Sequence, residues 1–271
     1  MGPLADRVPA EIGFLEVAPE NWVGVGGRLR HFFDRIAQQV PIVGHGLSLN
    51  IGGPAALDED LVLQIKSLLD RCHSPIYGDH LSYCADDGHL YDLLPIPFSK
   101  EAVEHVAQRI RRVQALLERR IAIENVSYYC SFTQELSEIE FINAVMERAD
   151  CLMLLDINNI YVNSVNHGYD PVEFLKAMPG ERIAYAHIAG HYREADDLII
   201  DTHGADVIDP VWDLLDQAYA HFGVFPTLLE RDFNVPTLDE ALVEIRHIAE
   251  IQQRHVHMSA ANSSAPRRAV A

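Results

Sequence analysis

The chain has 271 residues, of which 48% are hydrophobic, and its 21 Lys and Arg residues stand against 40 Asp and Glu residues, for a formal net charge of −19. Such an acidic surface repels phosphate backbones, which argues against nucleic acid as a ligand. The sequence has neither an apolar run as long as a membrane span nor a basic and then apolar leader, so we expect a cytoplasmic protein with no membrane partner.

Short apolar runs, most of them followed by a helical pattern, predict parallel strands joined by helices. The predicted strands are 12–17, 42–49, 76–81, 121–125, 152–157, 183–188 and 227–230. The clearest helical pattern spaces apolar residues three and four positions apart between Val103 and Leu117. This alternation is typical of an α/β protein with a (β/α)8 TIM-type barrel, which we predict for residues 1–254.

Both ends of the chain depart from a regular barrel. Residues 4–10 look like the end of a helix, so we expect that the barrel lacks its first strand at the N-terminus or closes in some other way. Residues 255–271 are small, polar and aperiodic, and we predict that they form a disordered C-terminal tail.

Two longer insertions interrupt the alternation of strands and helices. Residues 83–98 contain turn residues and two prolines, which predicts a loop over the mouth of the barrel. Residues 190–210 form the second insertion and contain further polar candidates for a functional site.

The four cysteines are far apart and include no Cys-x-x-Cys pair. They are Cys72, Cys84, Cys130 and Cys151. This spacing predicts free thiols in a reduced compartment and argues against a zinc site made of thiolates.

Polar residues appear where the predicted strands end. The C-terminal ends of barrel strands meet at one face, so these residues should converge although they are distant in sequence. They are Glu16, His45, Asp79, His80, Glu124, Asn125, Asp156, Asn159, His187, Glu230 and Asp232, and Asp201 and His203 join them from the second insertion. Carboxylates gathered in this way raise one another's pKa, and divalent metal ions remove that cost.

We therefore predict a site for two or three metal ions at this face. The predicted ligands are His45, Asp79, His80, Glu124, Asp156, Asn159, His187, Asp201, His203 and Glu230. Imidazole and oxygen donors suit iron, manganese or zinc, and the residue types alone leave that choice open. Glu124 and Glu230 are expected to bridge ions about 3.5–4 Å apart. Of the predicted ligands, we assign a direct part in catalysis to Asp156, Asn159, His187 and Glu230.

Other polar residues near the strand ends are expected to orient the ligands or to contact substrate, although ordinary caps and loop hydrogen bonds would explain them equally well. They are Glu20, Asn21, Asn125, Asn163, Asn166, His167 and His191. Four tyrosines, Tyr83, Tyr128, Tyr129 and Tyr161, are candidates for a groove lining or for the core.

The order of the ligand types resembles the trinuclear metal set of endonuclease IV and of the wider xylose-isomerase-like barrels. Asn159 departs from that pattern, because endonuclease IV has a histidine there. An amide oxygen is a weaker and neutral donor, so one ion should have a more open coordination position for substrate or dioxygen.

A closer resemblance covers nearly the whole chain. The motifs are FLEVAPENW at 14–22, HGLSLNIGG at 45–53, DHLSY at 79–83, LLPIPF at 93–98, IENVSYY at 123–129, LLDINNIYVNSVNHG at 154–168, HIAGH at 187–191 and DTHG at 201–204. These motifs resemble the MNIO family, the multinuclear non-haem iron-dependent oxidative enzymes that include the methanobactin biosynthesis oxidase.

This resemblance implies a peptide-modifying enzyme. Family members modify cysteine-containing precursor peptides of ribosomal natural products, usually with a separate partner protein that presents the peptide. The resemblance also implies iron ions in a mixed Fe(II)/Fe(III) state, with O2 as the co-substrate.

Two other readings of the residues remain open. The first is a hydrolytic or isomerising metalloenzyme on the same barrel, since His and carboxylate ligands also suit hydrolytic zinc. The second is a barrel that binds metal or peptide without catalysis. The metal content would separate oxidation from hydrolysis.

Overall fold

The computed structural model describes residues 2–86, 88–130 and 134–264, and it confirms the predicted barrel. A 7-stranded sheet of parallel strands has the order β1-β2-β3-β6-β7-β8-β11. Its strands are β1 (Leu15–Val17), β2 (Ile42–His45), β3 (Tyr77–His80), β6 (Ala122–Glu124), β7 (Leu152–Asp156), β8 (Ile183–Ile188) and β11 (Thr227–Leu229). Each of these strands lies within a predicted run, and β8 matches its run at both ends.

Helices cover the outside of the sheet. Over the described ranges they are α1 (Gly2–Asp6), α2 (Gly27–Ala37), α3 (Glu59–Arg71), α4 (Lys100–Leu117), α5 (Glu138–Ala149), α6 (Ile157–His167), α7 (Pro171–Lys176), α8 (Asp209–Phe222) and α9 (Leu238–Ser264). The predicted stripe on α4 is buried in the main core, which packs α3 to α8 against the strands. Burial of these apolar faces is the dominant contribution to the stability of such a layer.

The edges of the sheet are β1 and β11, and no pairing between them occurs among the described residues. Helices α1 and α9 meet beside β1, where Ala5, Ile12 and Leu242 belong to one apolar cluster. An ion pair between Arg246 and Glu11, at 2.9 Å, adds to this contact. The sheet is thus a nearly closed barrel of seven strands whose open side is flanked by two helices.

The interior of the barrel holds its own small apolar cluster of Val43, Ala122, Leu154 and Tyr185. These residues come from four strands and fill the space below the strand ends, as inward-facing side chains do in TIM barrels. The strand ends above this layer are therefore the part of the barrel that is open to polar chemistry.

The parallel register fixes which strand ends are neighbours. His80 lies opposite Glu124, and Asp156 lies opposite His187. Four of the predicted ligands are therefore placed side by side by backbone pairing alone.

Both insertions contain hairpins that the sequence analysis did not predict. In the first, β4 (Ser82–Ala85) pairs with β5 (His89–Pro95), where a loop was expected. In the second, β9 (Tyr192–Ala195) pairs with β10 (Leu198–Ile200). Each hairpin satisfies backbone hydrogen bonds that an irregular loop of this length would leave to solvent.

The C-terminal helix corrects the prediction of a tail that is disordered from residue 255. Helix α9 continues to Ser264. His255 is buried, and its Nε2 lies 3.0 Å from Asp216 on α8. The remaining residues of the predicted tail, 265–271, lie outside the described residues.

Within the described ranges, none of the helices combines the length and the apolar character that crossing a membrane requires.

Candidate metal centre

The predicted ligands converge on the C-terminal face of the barrel. His45, His80, Glu124 and Asp156 are the last residues of their strands, and His187 is the penultimate residue of β8. Glu230 directly follows β11, and Asp201 directly follows β10. Because parallel strands end together, side chains from all parts of the sequence meet at this one place.

One part of the cluster is built around Glu124. Its Oε2 lies 3.0 Å from His45 Nε2 and 3.2 Å from His80 Nε2. The two imidazole nitrogens are themselves 3.2 Å apart. Two imidazoles and a carboxylate that point at one another in this way offer three donor atoms to one position.

A second part is built around Glu230. Its Oε2 lies 2.8 Å from His187 Nδ1 and 3.2 Å from His203 Nδ1. On the other side of the His203 ring, Nε2 lies 2.7 Å from Asp201 Oδ1. His187 Nδ1 also approaches Glu124 Oε1 at 3.8 Å, which joins the two parts into one cluster.

Among the described residues, three overlapping groups have donor atoms that all lie within 4.8 Å of one another. The groups are His45, Glu124 and His187; Glu16, His187 and Glu230; and Asp156, His203 and Glu230. Shared members, above all His187 and Glu230, are what a multinuclear site requires.

The residues fit a metal centre because several of their donor atoms have no hydrogen-bond partner. Buried polar atoms are nearly always hydrogen-bonded in folded proteins. Here several such atoms in the cluster lack a hydrogen-bond partner: Glu124 Oε2, Asp156 Oδ2, Asn159 Oδ1, His187 Nδ1, His203 Nε2 and Glu230 Oε2. All of them belong to predicted ligands, and their chemistry of imidazole and oxygen suits iron, manganese or zinc.

The pKa values of the cluster residues also favour a metal centre. Burial raises the pKa of Asp156 well above its usual value, and the carboxylate of Glu124 adds to that rise. Burial also lowers the pKa of His80 to about 4. By contrast, burial opposes ionisation of Glu230, but His187 and His203 outweigh it and hold its pKa well below the usual value. Cations bound among these groups would relieve the repulsion that protonation otherwise has to remove.

Asp156 and Asn159 sit at the junction of β7 and α6. Asp156 caps the helix, because its Oδ1 accepts a hydrogen bond from the backbone N–H of Asn159 at 2.7 Å. Asn159 Nδ2 donates to the carbonyl of Asn125 at 3.1 Å, which leaves its Oδ1 free. The cap therefore fixes one oxygen of Asp156 and orients the amide of Asn159, while one free oxygen remains on each side chain.

Three predicted histidine or aspartate ligands lie outside these groups: Asp79, His80 and Asp201. His80 and Asp201 contact group members at 3.2 and 2.7 Å, whereas among the described residues Asp79 makes no ion pair or hydrogen bond with one. Its Oδ2 accepts a hydrogen bond from the hydroxyl of Tyr77 at 2.7 Å, and its Oδ1 accepts one from the backbone N–H of His80 at 2.9 Å. Burial and the nearby Glu20 raise the pKa of Asp79 to about 8. Both oxygens accept hydrogen bonds from protein donors, and Asp79, unlike Asp201, does not pair with a histidine of the cluster, so the geometry places it beside His80 and outside the cluster.

Glu16 is absent from the predicted ligand set, although it was among the residues at strand ends. It lies in β1 with its Oε2 3.1 Å from His187 Nε2. The hydroxyl of Tyr185 donates to the same oxygen at 2.7 Å.

A network that the sequence analysis did not identify holds Asp201. Asn158 Nδ2 donates to its Oδ1 at 2.8 Å, and Ser127 Oγ donates to its Oδ2 at 3.0 Å. The backbone N–H of Asp201 donates to the hydroxyl of Tyr129 at 2.8 Å. Asn158 also contacts His191 Nδ1 at 2.8 Å, so a predicted supporting histidine takes part. Only the position of Asn158 beside Asn159 in the sequence could have suggested this role.

Several of the other expected supporting residues hold loops in place. Asn125 exchanges hydrogen bonds of 2.9 Å with the backbone of Asp156 in both directions. Asn163 binds the backbone of Val126 and Tyr128. Tyr128 is buried in the core, whereas Tyr129 lines the cavity described next.

A cavity of about 910 Å³ connects the cluster to solvent. Hairpin β4–β5 forms part of its wall through Cys84, Leu90 and Asp92, so the first insertion does cover the mouth as predicted. On another side, Phe233 and Val235 line the cavity although they are 64% and 71% exposed. Neighbouring exposed apolar residues at the mouth of a cavity are candidates for contact with another molecule.

Comparison with known families identifies one match over most of the chain. A family model described as RiPP precursor modification enzyme MbnB/TglH/ChrH matches residues 2–253. Relatives named only as UPF0276 proteins are similar over about nine-tenths of their length. One from Nitrosospira multiformis is 56% identical over 262 residues, covering 96% of this chain and 93% of that protein. One from Shewanella loihica is 58% identical over 252 residues, covering 93% and 91%.

Solved structures with a similar fold are distant in sequence. A D-tagatose 3-epimerase-like protein has a TM-score of 0.61 and 14% identity, covering 94% of each chain. D-Psicose 3-epimerase from Clostridium cellulolyticum H10 has a TM-score of 0.58 and 11% identity, covering 92% of this chain and 88% of that one. At these identities the likeness shows the barrel fold alone.

Proposed function

Because the chain belongs to the MbnB/TglH/ChrH family of RiPP precursor modification enzymes, we propose that it oxidises cysteine in a ribosomally made precursor peptide. The proposed cofactor is a set of two or three iron ions, with O2 as the co-substrate. The observation that carries this proposal is the family match over residues 2–253, because that range contains every residue of the donor cluster.

The donor atoms without partners support the proposed metal content. His45, His80 and Glu124 would hold one ion, and His187, Glu230, Asp156, Asp201 and His203 would hold the others. When bound, iron ions would supply the redox chemistry by which O2 oxidises the substrate cysteine. Imidazole and carboxylate ligands that leave coordination positions open are typical of non-haem iron enzymes that use O2.

We assign the remaining steps to the protein's own groups. Asp156, His187 and Glu230 would fix the reacting centre from three different strands. The neutral amide of Asn159 would leave one coordination position open, since an amide oxygen is a weaker ligand than an imidazole. The cavity of about 910 Å³ is large enough for a peptide segment to reach the cluster.

The exposed apolar residues at the mouth suit the peptide or a protein that presents it. Phe233 and Val235 are 64% and 71% exposed. We propose that a separate partner protein delivers the precursor peptide to this face.

The direct test uses peptides translated from small Cys-rich reading frames that neighbour the gene. Each peptide and its Cys→Ser counterpart would be incubated with iron-loaded protein with and without air, and then analysed by mass spectrometry. We expect a mass change that needs the cysteine, iron and O2 together. The absence of an oxygen-dependent change in every peptide tested would count against the proposal.

The main competing function is hydrolysis or isomerisation by the same cluster, since distant proteins with this barrel are named as sugar epimerases. The second competing function is that of a barrel that binds metal or peptide without catalysis. Metal analysis of the purified protein separates the first from oxidation, because zinc without iron would favour hydrolysis. Iron-loaded protein that binds the peptide and never changes its mass would favour the second.

A further inference from the structure

His187, like His203, has carboxylates facing both of its ring nitrogens. Its Nδ1 faces Glu230 Oε2 at 2.8 Å, Glu124 Oε1 at 3.8 Å and Asp156 Oδ2 at 3.9 Å. Its Nε2 faces only Glu16 Oε2, at 3.1 Å. An imidazole can bind a metal ion through one nitrogen while its other nitrogen donates a hydrogen bond. The surrounding protein must therefore determine which nitrogen carries the proton.

The hydrogen bonding of the two sides differs. His187 Nδ1 and Glu230 Oε2 lie 2.8 Å apart but are not aligned for a hydrogen bond, and neither atom has another hydrogen-bond partner. Oδ2 of Asp156 on the same side has none either. His187 Nε2 is paired with Glu16 Oε2, which also accepts the hydroxyl hydrogen of Tyr185 at 2.7 Å. The free donor atoms are therefore all on the Nδ1 side, and the satisfied ones are on the Nε2 side.

Distance alone would admit Glu16 as a metal ligand, because it lies within 4.8 Å of the donor atoms of His187 and Glu230. Its hydrogen bonds favour a different role. An oxygen that already accepts a tyrosine hydroxyl at 2.7 Å has given up part of the charge that a metal ion would use. A carboxylate behind a ligating histidine fixes its tautomer and its orientation and makes it a stronger ligand.

We propose that Glu16 is a positioning residue and not a metal ligand: it accepts the Nε2–H of His187, so that Nδ1 faces the metal ions, and the hydroxyl of Tyr185 holds Glu16 in place. This inference rests on the metal centre in the proposed function. It assigns the residue that β1 contributes to the site, and it explains why a tyrosine hydroxyl lies inside the barrel next to the ligands.

The first test identifies the protonated ring nitrogen directly. The protein would be labelled with ¹⁵N-histidine, loaded with Zn²⁺ as a diamagnetic probe, and studied by long-range ¹H–¹⁵N correlation, with His187→Gln assigning the signals. We expect Nε2 of His187 to carry the proton and Nδ1 to bind the metal. A proton on Nδ1, with Nε2 bound to metal, would overturn the proposal.

The second test measures Zn²⁺ stoichiometry and affinity in variants by chelator competition. Glu16→Ala should keep the wild-type number of Zn²⁺ ions and lose about 10–100-fold in affinity. Tyr185→Phe should keep the stoichiometry with a smaller loss, about fivefold, because one hydrogen bond to the positioning residue is removed. Loss of a whole equivalent of Zn²⁺ in Glu16→Ala would make Glu16 a ligand and refute the inference.

Glu138→Gln is the matched control. Glu138 is a half-buried carboxylate that also accepts a tyrosine hydroxyl, that of Tyr128 at 3.1 Å, but among the described residues it forms no ion pair with a histidine. Its substitution should leave Zn²⁺ affinity unchanged, and an equal loss in this control would refute the specific role of Glu16. Because both tests use Zn²⁺ without peptide, their results stand even if the iron-loaded protein modifies no peptide.

Discussion

Helix α6 contains two asparagines, Asn159 and Asn163, whose amide groups differ in their hydrogen bonding. Asn159 Oδ1 is buried without a partner among the metal donors. One turn further, Asn163 uses both ends of its amide on the backbone of the loop after β6, at 3.1 Å to the N–H of Tyr128 and 3.0 Å to the carbonyl of Val126. The two asparagines therefore form a natural pair of test and control.

We predict that Asn159→Ala lowers metal content and that Asn163→Ala does not. The first change removes the oxygen of a proposed ligand, whereas the second removes buried hydrogen bonds and costs about 1–3 kcal/mol of stability. Metal analysis of the folded variants after loading, with unfolding temperatures measured in parallel, checks both statements. Wild-type metal content in Asn159→Ala would remove this residue from the ligand set.

Glu138 gives the protein a pH-dependent stability that is independent of the metal site. Burial raises its pKa to about 7 from the ordinary 4.5, against the hydrogen bonds from Tyr128 and Asn163. The folded state therefore holds a proton that the unfolded state releases. The stabilisation is complete below pH 4.5 and is lost as the pH rises through 7.

Glu138→Gln should remove this dependence, because the amide does not titrate. We expect the stability of the variant relative to wild type to rise with pH between 5 and 7, by at most about 1.4 kcal/mol per pH unit. Urea unfolding of the metal-free proteins across this range provides the measurement. Parallel stability profiles for the two proteins would show that Glu138 is ionised at the same pH in both states.

Most residues of the candidate metal cluster could be predicted from the sequence because each lies at the end of an apolar run that predicts a buried strand. What the pattern could not show is where each carboxylate points. Asp79 and Glu16 both end such runs, yet Asp79 turns to Tyr77, while Glu16 turns to His187. The orientation of the Glu16 side chain depends on hydrogen-bond partners more than a hundred residues away in the sequence. The spacing of residues around Glu16 therefore could not predict it.

At the scale of the elements, the seven strands followed from β-type runs, and α4 followed from the apolar stripe between Val103 and Leu117. The hairpins β4–β5 and β9–β10 were not predicted, because the turn residues and prolines in these segments are typical of loops. The end of α9 was also missed. Its composition is small and polar, but His255 is 9% exposed and packs against Tyr219 and Asp216.

Truncation of α9 tests that packing. We predict that a chain ending at residue 254 is less stable than one ending at residue 257 by about 1–2 kcal/mol, because only the shorter chain loses the buried His255 and its contact with Asp216. Thermal unfolding of the two proteins gives the comparison. The substitution His255→Ala in the full chain is the control and should reproduce most of the loss, whereas equal stability of the two truncated chains would show that α9 ends its packing before His255.

At the scale of the whole molecule, the proposed metal centre joins strands that are distant in the sequence. His45, His80, Glu124, Asp156 and His187 belong to five strands of one sheet, and Glu230 follows a sixth. The edges β1 and β11 of that sheet are not paired with each other among the described residues. Backbone hydrogen bonds join each strand only to its neighbours in the sheet. Metal ions bound by residues from so many strands would link strands that are not neighbours and so stabilise the nearly closed barrel.

Metal binding should therefore stabilise the barrel as a unit. Free Zn²⁺ at about 100 times its dissociation constant contributes about 2.7 kcal/mol for each site, which raises the unfolding temperature by about 5–10 °C in a domain of this size. Hydrogen exchange should slow in β2, β3, β6, β7 and β8 together. Asp156→Ala, which removes a ligand, should lose most of this response. Protection confined to the loop around His203 would mean that the ions bind the insertion and leave the barrel as it was.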